Sequence, residues 1–162
     1  MSTEKAIFAA GCFWGVEELL RKVPGIMNTE VGYCGDSKST ANYPTVKEGE
    51  TNHAEAIMIE FDPSKISFET CVEKFFQLHD PTTKNQQGND IGRQYRSAIF
   101  YLSEDQKLTA LKVIEKLTAT NKFKRPIVTE VTAATEFYSA EAYHQDYLQK
   151  NPGGYTCHFW RP

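Results

Sequence analysis

The hydrophobic and polar positions of the chain alternate between strand-like runs and stretches with helical spacing. Residues 6–10 form a short apolar run of the kind found in buried strands. Apolar residues then recur at helical spacing over residues 16–23, until Pro24 and Gly25 end the helix. Further strands are predicted at residues 26–33, 53–61, 95–102 and 127–132. Because these elements alternate irregularly, we predict a single two-layer α+β domain over residues 1–162, with helices packed on a mixed β-sheet.

Serine residues mark the predicted starts of the later helices. Ser67 caps one helix, and Ser103 with Gln106 forms a capping box for the next. Ser139 is predicted to cap a last helix that ends near Lys150. The side chains expected to face the core are Phe68, Cys71, Val72, Phe75 and Phe76 in the first of these helices and Leu108, Leu111, Ile114 and Leu117 in the second.

Three polar stretches have neither a strand nor a helix pattern. Residues 34–52 and 80–94 are rich in turn-forming residues and are predicted to be long loops. Loops of this length without structure of their own are often functional. The tail over residues 151–162 has no periodicity and contains Gly153 and Gly154, so we predict an irregular, mobile segment.

Composition and charge narrow the class of protein. Hydrophobic residues make up 40% of the chain and charged residues 24%, which is enough apolar material for a packed core. The net charge of −3 argues against a nucleic-acid partner. No apolar run approaches the ~20 residues needed to span a membrane, and the first residues lack the pattern of a signal peptide. We therefore expect a cytoplasmic monomer that binds neither nucleic acid nor membrane.

The four cysteines are predicted to be free thiols. They lie at positions 12, 34, 71 and 157, and neither they nor the four histidines have the spacing of a zinc site. We therefore expect no structural metal site. In a reducing compartment, any disulfide between these cysteines would be transient. Cys71 lies on the packed face of its predicted helix and is assigned to the core, whereas Cys34 lies in a loop.

Cys12 is the first candidate for chemistry, since it joins a predicted strand to a predicted helix. Exposed amide N–H groups and the helix dipole stabilise an anion at such a position, and the thiolate is the nucleophilic form of cysteine. The alternative is that Cys12 is a small buried residue beside Gly11, as free cysteines often are. Position alone does not separate the two interpretations.

Glu55 is the second candidate. Alternation along the predicted strand places it on the same face as Ile57, Ile59 and Phe61. A carboxyl group held against apolar side chains has a raised pKa and can donate a proton near neutral pH. The alternative is that Glu55, close to the start of its strand, reaches water.

Cys157 is the third candidate, because it follows the Gly153-Gly154 pair. A mobile thiol can reach a second sulfur, close a disulfide and leave again. The alternative is an idle tail cysteine. His144, on the predicted last helix, and His79, at a predicted helix end, are assigned structural roles.

The pentapeptide Gly11-Cys12-Phe13-Trp14-Gly15 resembles the active-site signature of the A-type peptide methionine sulfoxide reductases. Further segments match the pattern of this family in the same order and extend the resemblance over nearly the whole chain. They are Gly32-Tyr33, Asn42-Tyr43, His53-Ala54-Glu55, residues 79–101 and residues 140–148. The ordered set is more specific than the pentapeptide alone.

The resemblance implies an enzyme that reduces the S epimer of methionine sulfoxide, free or within proteins. Cys12 would attack the sulfoxide sulfur, and Glu55 would donate a proton to the sulfoxide oxygen. Tyr43 and Tyr95 would hydrogen-bond that oxygen, and Asp90 would support the polar side of the pocket.

The resemblance also implies an apolar recess and a recycling step. Phe13 and Trp14 would line the recess, which would hold the methyl group of the substrate. A sulfenic acid on Cys12 would condense with Cys157, and thioredoxin would reduce the resulting disulfide, without a metal or an organic cofactor. The chain departs from the family in having one recycling cysteine where many members have two, Gly35-Asp36 in place of Gly-Gly, and an unusual Cys34.

The sequence is compatible with two other functions. A Cys–His hydrolase could use His53 as a base for Cys12, with an oxyanion hole at the helix N-terminus, but it would give Cys157 no role. A redox-sensing module could switch between Cys12 and Cys157 without turning over a sulfoxide.

Overall fold

The computed structural model describes residues 2–161. Met1 and Pro162, which end the predicted domain, lie outside the described residues. The strands are β1 (Glu4–Ala10), β2 (Ile26–Cys34), β3 (Ala54–Phe61), β4 (Gln86–Gln87), β5 (Asp90–Ile91), β6 (Ser97–Tyr101), β7 (Glu130–Ala133) and β8 (Tyr138–Ser139). The helices are α1 (Phe13–Leu20), α2 (Tyr43–Val46), α3 (Phe68–Gln77), α4 (Glu104–Ala119) and α5 (Tyr147–Lys150), and short 3₁₀ turns cover Lys38–Thr40, Arg93–Tyr95 and Ala142–His144.

Six strands form one mixed sheet in the order β7-β6-β1-β3-β2-β8. Neighbouring strands pair antiparallel except β6 and β7, which run parallel. The short strands β4 and β5 form a separate two-stranded ribbon within the predicted loop 80–94. The predicted α+β class with a mixed sheet is confirmed.

Side chains that alternate along β1 divide the core between the two faces of the sheet. Phe8 lies in the main cluster with α1 and α3, and its ring stacks on Phe75 with 5.1 Å between centroids. Ile7 and Ala9 point to the opposite face, where they pack in a second cluster with Phe100. Helix α1, which follows β1 directly, therefore packs on the face of the sheet that carries Phe8.

The last helix predicted for residues 139–150 is wrong. Ser139 instead belongs to β8 and pairs with Gly32 of β2, and only Tyr147–Lys150 is α-helical. Between these elements, the Gln145 side chain accepts a hydrogen bond from Val31 N at 2.9 Å and donates one to Val31 O at 2.8 Å. The amide of Gln145 thus takes the place of a paired strand along β2, which excludes a continuous helix.

The inward face predicted for α4 is also partly wrong. Ser103 caps the helix as expected, since its Oγ accepts a hydrogen bond from Gln106 N at 3.2 Å. The Gln106 side chain, however, turns inward to donate to Lys5 O at 2.8 Å. This contact sets the rotation of the helix, so Ala110 is buried and Leu108 is 57% exposed. Leu111 is exposed as well.

The predicted cap of α3 is confirmed, because Ser67 Oγ accepts a hydrogen bond from Thr70 N at 3.1 Å. The strand predicted at 127–132 is shorter and later, at Glu130–Ala133. Within residues 2–161, no helix combines the length and the apolar character required to cross a membrane.

Candidate active site

Cys12 lies at the turn between β1 and α1. Ala10 ends β1, and Gly11 turns the chain with a φ of 94°, a left-handed conformation that favours glycine. Cys12 then occupies the N-cap position of α1. Its side chain is nearly buried, with 7% exposed. The sulfur is thus placed at the end of a central strand and at the start of a helix.

Glu55 is buried beside this turn. Its side chain is 2% exposed, and Oε1 accepts a hydrogen bond from Phe13 N at 3.2 Å. Burial raises the pKa of the carboxyl group to about 8, an effect that the hydrogen bond from Phe13 only partly opposes. The alternative in which Glu55 reaches water is excluded by this burial. Near neutral pH the carboxyl group therefore holds a proton that it can transfer.

The pKa of Cys12 is raised rather than lowered. Burial is the largest cause, and the negative charge of an ionised Glu55 adds to it, while a hydrogen bond from the Trp14 backbone acts in the opposite direction. This direction is opposite to the thiolate expected at a helix N-terminus, because burial is the largest effect on the thiol. Protonation of Glu55 removes one of the effects that keep the thiol protonated.

Tyr43 and Asp90 come from the two predicted loops to the same site. Tyr95, predicted to begin a strand, instead ends the 3₁₀ turn before β6. The pKa of Tyr43, in α2, and that of Tyr95, in a 3₁₀ turn, are both raised first by burial and then by the charge of Glu55. These hydroxyl groups therefore stay protonated and able to donate. Asp90 of β5 also has a raised pKa because of burial, and it accepts a hydrogen bond from the Tyr155 hydroxyl at 3.2 Å.

Phe13 and Trp14 form an aromatic wall next to Cys12. Trp14 Nε1–H donates to His144 Nδ1 at 2.9 Å, and the Trp14 ring packs on Tyr147 with 3.8 Å between centroids. The ring of Phe13, which is buried, packs against His144 at 5.2 Å. Since His144 accepts at Nδ1, its neutral form holds the proton at Nε2. His144 thus fixes the orientation of Trp14.

Cys157 packs against the β4–β5 ribbon at the edge of this site. Its Sγ is 4.0 Å from Asp90 Oδ2 and 3.9 Å from Gln87 O. The sulfur also contacts Gly88, where a Cβ atom would lie 3.3 Å from it. Burial raises the pKa of the Cys157 thiol. The next residue, His158, lies 2.6 Å from Ala10 O at the end of β1, so the tail places Cys157 on the same side of the structure as Cys12.

The other two cysteines lie in the core. Cys71 is fully buried in the main cluster, as predicted. Cys34 is not in an exposed loop: it ends β2 and is fully buried on the opposite face, where its Sγ contacts Thr135 O at 3.6 Å. All four cysteines are free thiols in this structure.

His53 is occupied by contacts away from Cys12. Its Nε2 is 2.9 Å from Ser37 O, to which it donates. The edge of its ring packs against Tyr33 and Tyr138. None of these contacts joins His53 to Cys12, so they give the Cys–His hydrolase no support.

Comparison with known proteins places this geometry in a family. The family profile described as peptide methionine sulfoxide reductase matches residues 4–161. The chain belongs to the A-type peptide methionine sulfoxide reductase family. Peptide methionine sulfoxide reductase MsrA 1 of Mesorhizobium japonicum is 52% identical over 161 residues, which are 99% of this chain and 91% of that protein.

Solved structures of a yeast protein, Mxr1, share the fold. Mxr1 from Saccharomyces cerevisiae in reduced form superposes with a TM-score of 0.93 at 36% identity, covering 99% of this chain and 93% of Mxr1. Mxr1 in complex with Trx2 superposes with a TM-score of 0.68 at 24% identity, covering 99% of this chain and 91% of that chain.

The structure of this reductase also shows a residue that sequence analysis did not find. Glu141 accepts hydrogen bonds from the Tyr33 hydroxyl at 2.8 Å and from Tyr43 N at 2.9 Å, so it fixes the start of α2 at the site. It lies in the matched segment 140–148, and that match was the only signal for it, because its partners are distant in sequence. The structural role predicted for His144 in the same segment is confirmed by its contact with Trp14.

Proposed function

We propose that Cys12 reduces the sulfur of the S epimer of methionine sulfoxide, in free methionine sulfoxide and in proteins. The observation that carries this proposal is a buried carboxyl group, Glu55, held in its protonated form beside a thiol. A sulfoxide oxygen is a poor leaving group until it is protonated. A proton donor with a pKa near the working pH lowers that barrier.

The first step transfers one oxygen atom. The thiol of Cys12 attacks the sulfoxide sulfur, and Glu55 supplies a proton to the oxygen while the thiol proton is released. This attack forms an S–S bond between Cys12 and the substrate. That bond and the S–O bond of the substrate then break as the hydroxyl group passes to Cys12, so methionine leaves as the sulfide and Cys12 becomes a sulfenic acid. The sulfur of Cys12 is oxidised by two electrons, and the substrate sulfur is reduced by two.

Hydrogen-bond donors support the oxygen side of the substrate. The hydroxyl groups of Tyr43 and Tyr95 stay protonated, so they can donate to the sulfoxide oxygen. Such preorganised donors are worth more in a water-excluded site than in water. Phe13 and Trp14 would hold the methyl group of the substrate.

This arrangement predicts that the enzyme is stereospecific. With the oxygen held by Glu55 and the tyrosines and the methyl group against Trp14, only one configuration at sulfur presents its open side to Cys12. We expect turnover of the S epimer and none of the R epimer, measured as methionine release from each separated epimer. Equal rates on both epimers would contradict the arrangement.

Cys157 is proposed to recycle the sulfenic acid. Its thiol attacks the sulfur of Cys12, so an S–S bond forms, the S–O bond breaks, and the hydroxyl group leaves with the thiol proton as water. A thioredoxin would then reduce this disulfide by thiol–disulfide exchange. The structure of Mxr1 in complex with Trx2 is in keeping with such a reductant.

Replacing Cys157 by serine should separate the two steps. Without reductant, we expect Cys157→Ser to release about one methionine per enzyme and then stop at the sulfenic acid. Turnover with thioredoxin should collapse, whereas dithiothreitol, a small thiol that attacks the sulfenic acid directly, should preserve part of it. Quantifying methionine under these three conditions checks the prediction.

Cys34→Ser is the matched control, because Cys34 is buried on the opposite face of the sheet. It should keep turnover with thioredoxin. Peptide mapping of the oxidised wild-type enzyme should find a Cys12–Cys157 bridge. A Cys12–Cys34 bridge with Cys157 left free would contradict the proposal, because recycling would then belong to Cys34.

One assay tests the proposal against its rivals. Incubation with methionine sulfoxide and dithiothreitol should yield methionine in many turnovers. A redox sensor would oxidise with peroxide but release no methionine, and a hydrolase would cleave an ester or amide instead. Failure to release any methionine would overturn the proposed function.

A further inference from the structure

The tail is anchored against the start of α1 by a buried histidine. His158 is 7% exposed, and its Nε2 is 2.6 Å from Ala10 O, the last carbonyl group of β1. A carbonyl oxygen can only accept, so Nε2 holds a proton and Nδ1 of the neutral ring has a free lone pair. Nδ1 faces Cys157 Sγ at 3.9 Å.

The His158 ring lies in a groove formed by the two glycines that flank Cys12 and its aromatic neighbours. A Cβ atom on Gly11 would lie 3.3 Å from His158 Nε2. A Cβ atom on Gly15 would overlap with His158 Nδ1 and with Thr156 Oγ1. Glycine inside a helix is less favourable than alanine, so α1 has a reason other than helix stability for Gly15. That reason is the space taken by the tail.

Two further contacts hold the tail beyond this histidine. Arg161 N donates to Gln77 O at 2.8 Å, and the Lys74 ammonium group lies 5.6 Å from the centroid of the Trp160 ring. On the other side of Cys157, a Cβ atom on Gly153 would meet nothing within 4 Å. The recycling cysteine thus lies between an open glycine hinge and an anchored end.

We propose that His158 is the positioning residue for recycling: held in the groove between Gly11 and Gly15, it keeps Cys157 beside Cys12 so that the disulfide can close. This inference rests on the proposed function. It confines the moving part of the tail to the residues between Gly153 and Cys157, whereas residues 158–161 stay docked. His158 acts through Cys157 and has no part in the oxygen transfer.

The test follows both steps in one single-turnover experiment without reductant. Methionine release reports the first step, and loss of free thiols together with trapping of sulfenic acid by a dione reports disulfide closure. In His158→Ala, we expect methionine release at the wild-type rate. Closure should be about 10–100-fold slower, the range that a small misplacement of a reacting group costs. Sulfenic acid should accumulate as a result.

A conservative variant and a control distinguish positioning from general packing. The terminal amide N–H of glutamine reaches as far as Nε2 of histidine, so His158→Gln should restore most of the closure rate. Phe159→Ala, in which an exposed neighbour in the same tail is truncated, should close at the wild-type rate.

Gly15→Ala disrupts the same contact by placing a methyl group of α1 where the His158 ring lies. Alanine is compatible with the helix, so this test does not depend on whether His158→Ala folds. The variant should also slow closure, and the double variant Gly15→Ala/His158→Ala should be little slower than either single one, since both remove one contact. Wild-type closure in His158→Ala or Gly15→Ala would overturn the inference. Absence of methionine release from the wild-type enzyme would instead overturn the proposed function.

Discussion

Replacing Cys12 by serine is expected to abolish methionine release with every reductant, thioredoxin and dithiothreitol included. Serine keeps the shape at the N-cap of α1, but its hydroxyl group has no accessible anionic form near neutral pH and is a far weaker nucleophile than sulfur. Cys34 and Cys71 cannot replace it, because they are fully buried in the core. Release of methionine from the S epimer with dithiothreitol measures the effect.

Two controls make the result of Cys12→Ser specific. Cys34→Ser should remain active, which shows that loss of a buried thiol is not in itself damaging. The melting temperature of Cys12→Ser should stay close to that of the wild-type enzyme. Turnover of Cys12→Ser with dithiothreitol would refute the assignment of Cys12 and with it the proposed mechanism.

Replacing Glu55 by glutamine is expected to slow the first step by about 10²–10⁴-fold, the range typical of a lost general acid. Glutamine can keep the hydrogen bond from Phe13 N, but it has no proton to transfer. The wild-type rate should fall as pH rises through about 8, where Glu55 loses its proton. The variant should lack this fall and should recover partly at lower pH, where the solvent supplies protons. Single-turnover rates over this pH range provide the measurement.

The melting temperature of Glu55→Gln provides a second measurement, in which the variant should gain relative to the wild type although its rate falls. The pKa of Glu55 is raised on folding from 4.5 to about 8, so the folded protein binds more protons than the unfolded chain between these values. Its ionisation therefore lowers stability as pH rises across that window. Glutamine removes this cost, and the variant should melt higher than the wild type at pH 8 and gain less at pH 5. A near-normal rate together with unchanged melting would place Glu55 in contact with water after all.

Two residues of the site could be located from the sequence. Cys12 follows a short apolar run, and Glu55 shares a strand face with Ile57 and Ile59, but local pattern left a structural alternative open for each, and the resemblance decided between them. Local pattern could not predict the sign of the pKa shift at Cys12. That sign depends on how deeply the turn is buried, which is decided by packing of the tail and of the long loops.

The parts that depend on distant partners escaped prediction. Residues 139–150 have a helical composition, but Gln145 bonds to Val31 and Ser139 pairs with Gly32, and these contacts across more than a hundred residues override local propensity. Glu141 belongs to the same segment, and its role follows from that path. His158 could not be recognised because a tail without periodicity gives no sign of where it docks.

The position of Glu55 relative to Cys12 is set by the pairing of strands β1 and β3. Strands β1 and β3 pair antiparallel, with Phe8 opposite Ile57. Glu55 therefore lies beside the end of β1 that leads into Cys12. A slip of one residue would turn Glu55 to the opposite face and remove it from Cys12. Local opening begins in loops and termini and reaches central strands last. On heating, the loops that bind the substrate and the recycling tail should therefore open first. Cys12 and Glu55 should stay in place until the sheet itself unfolds.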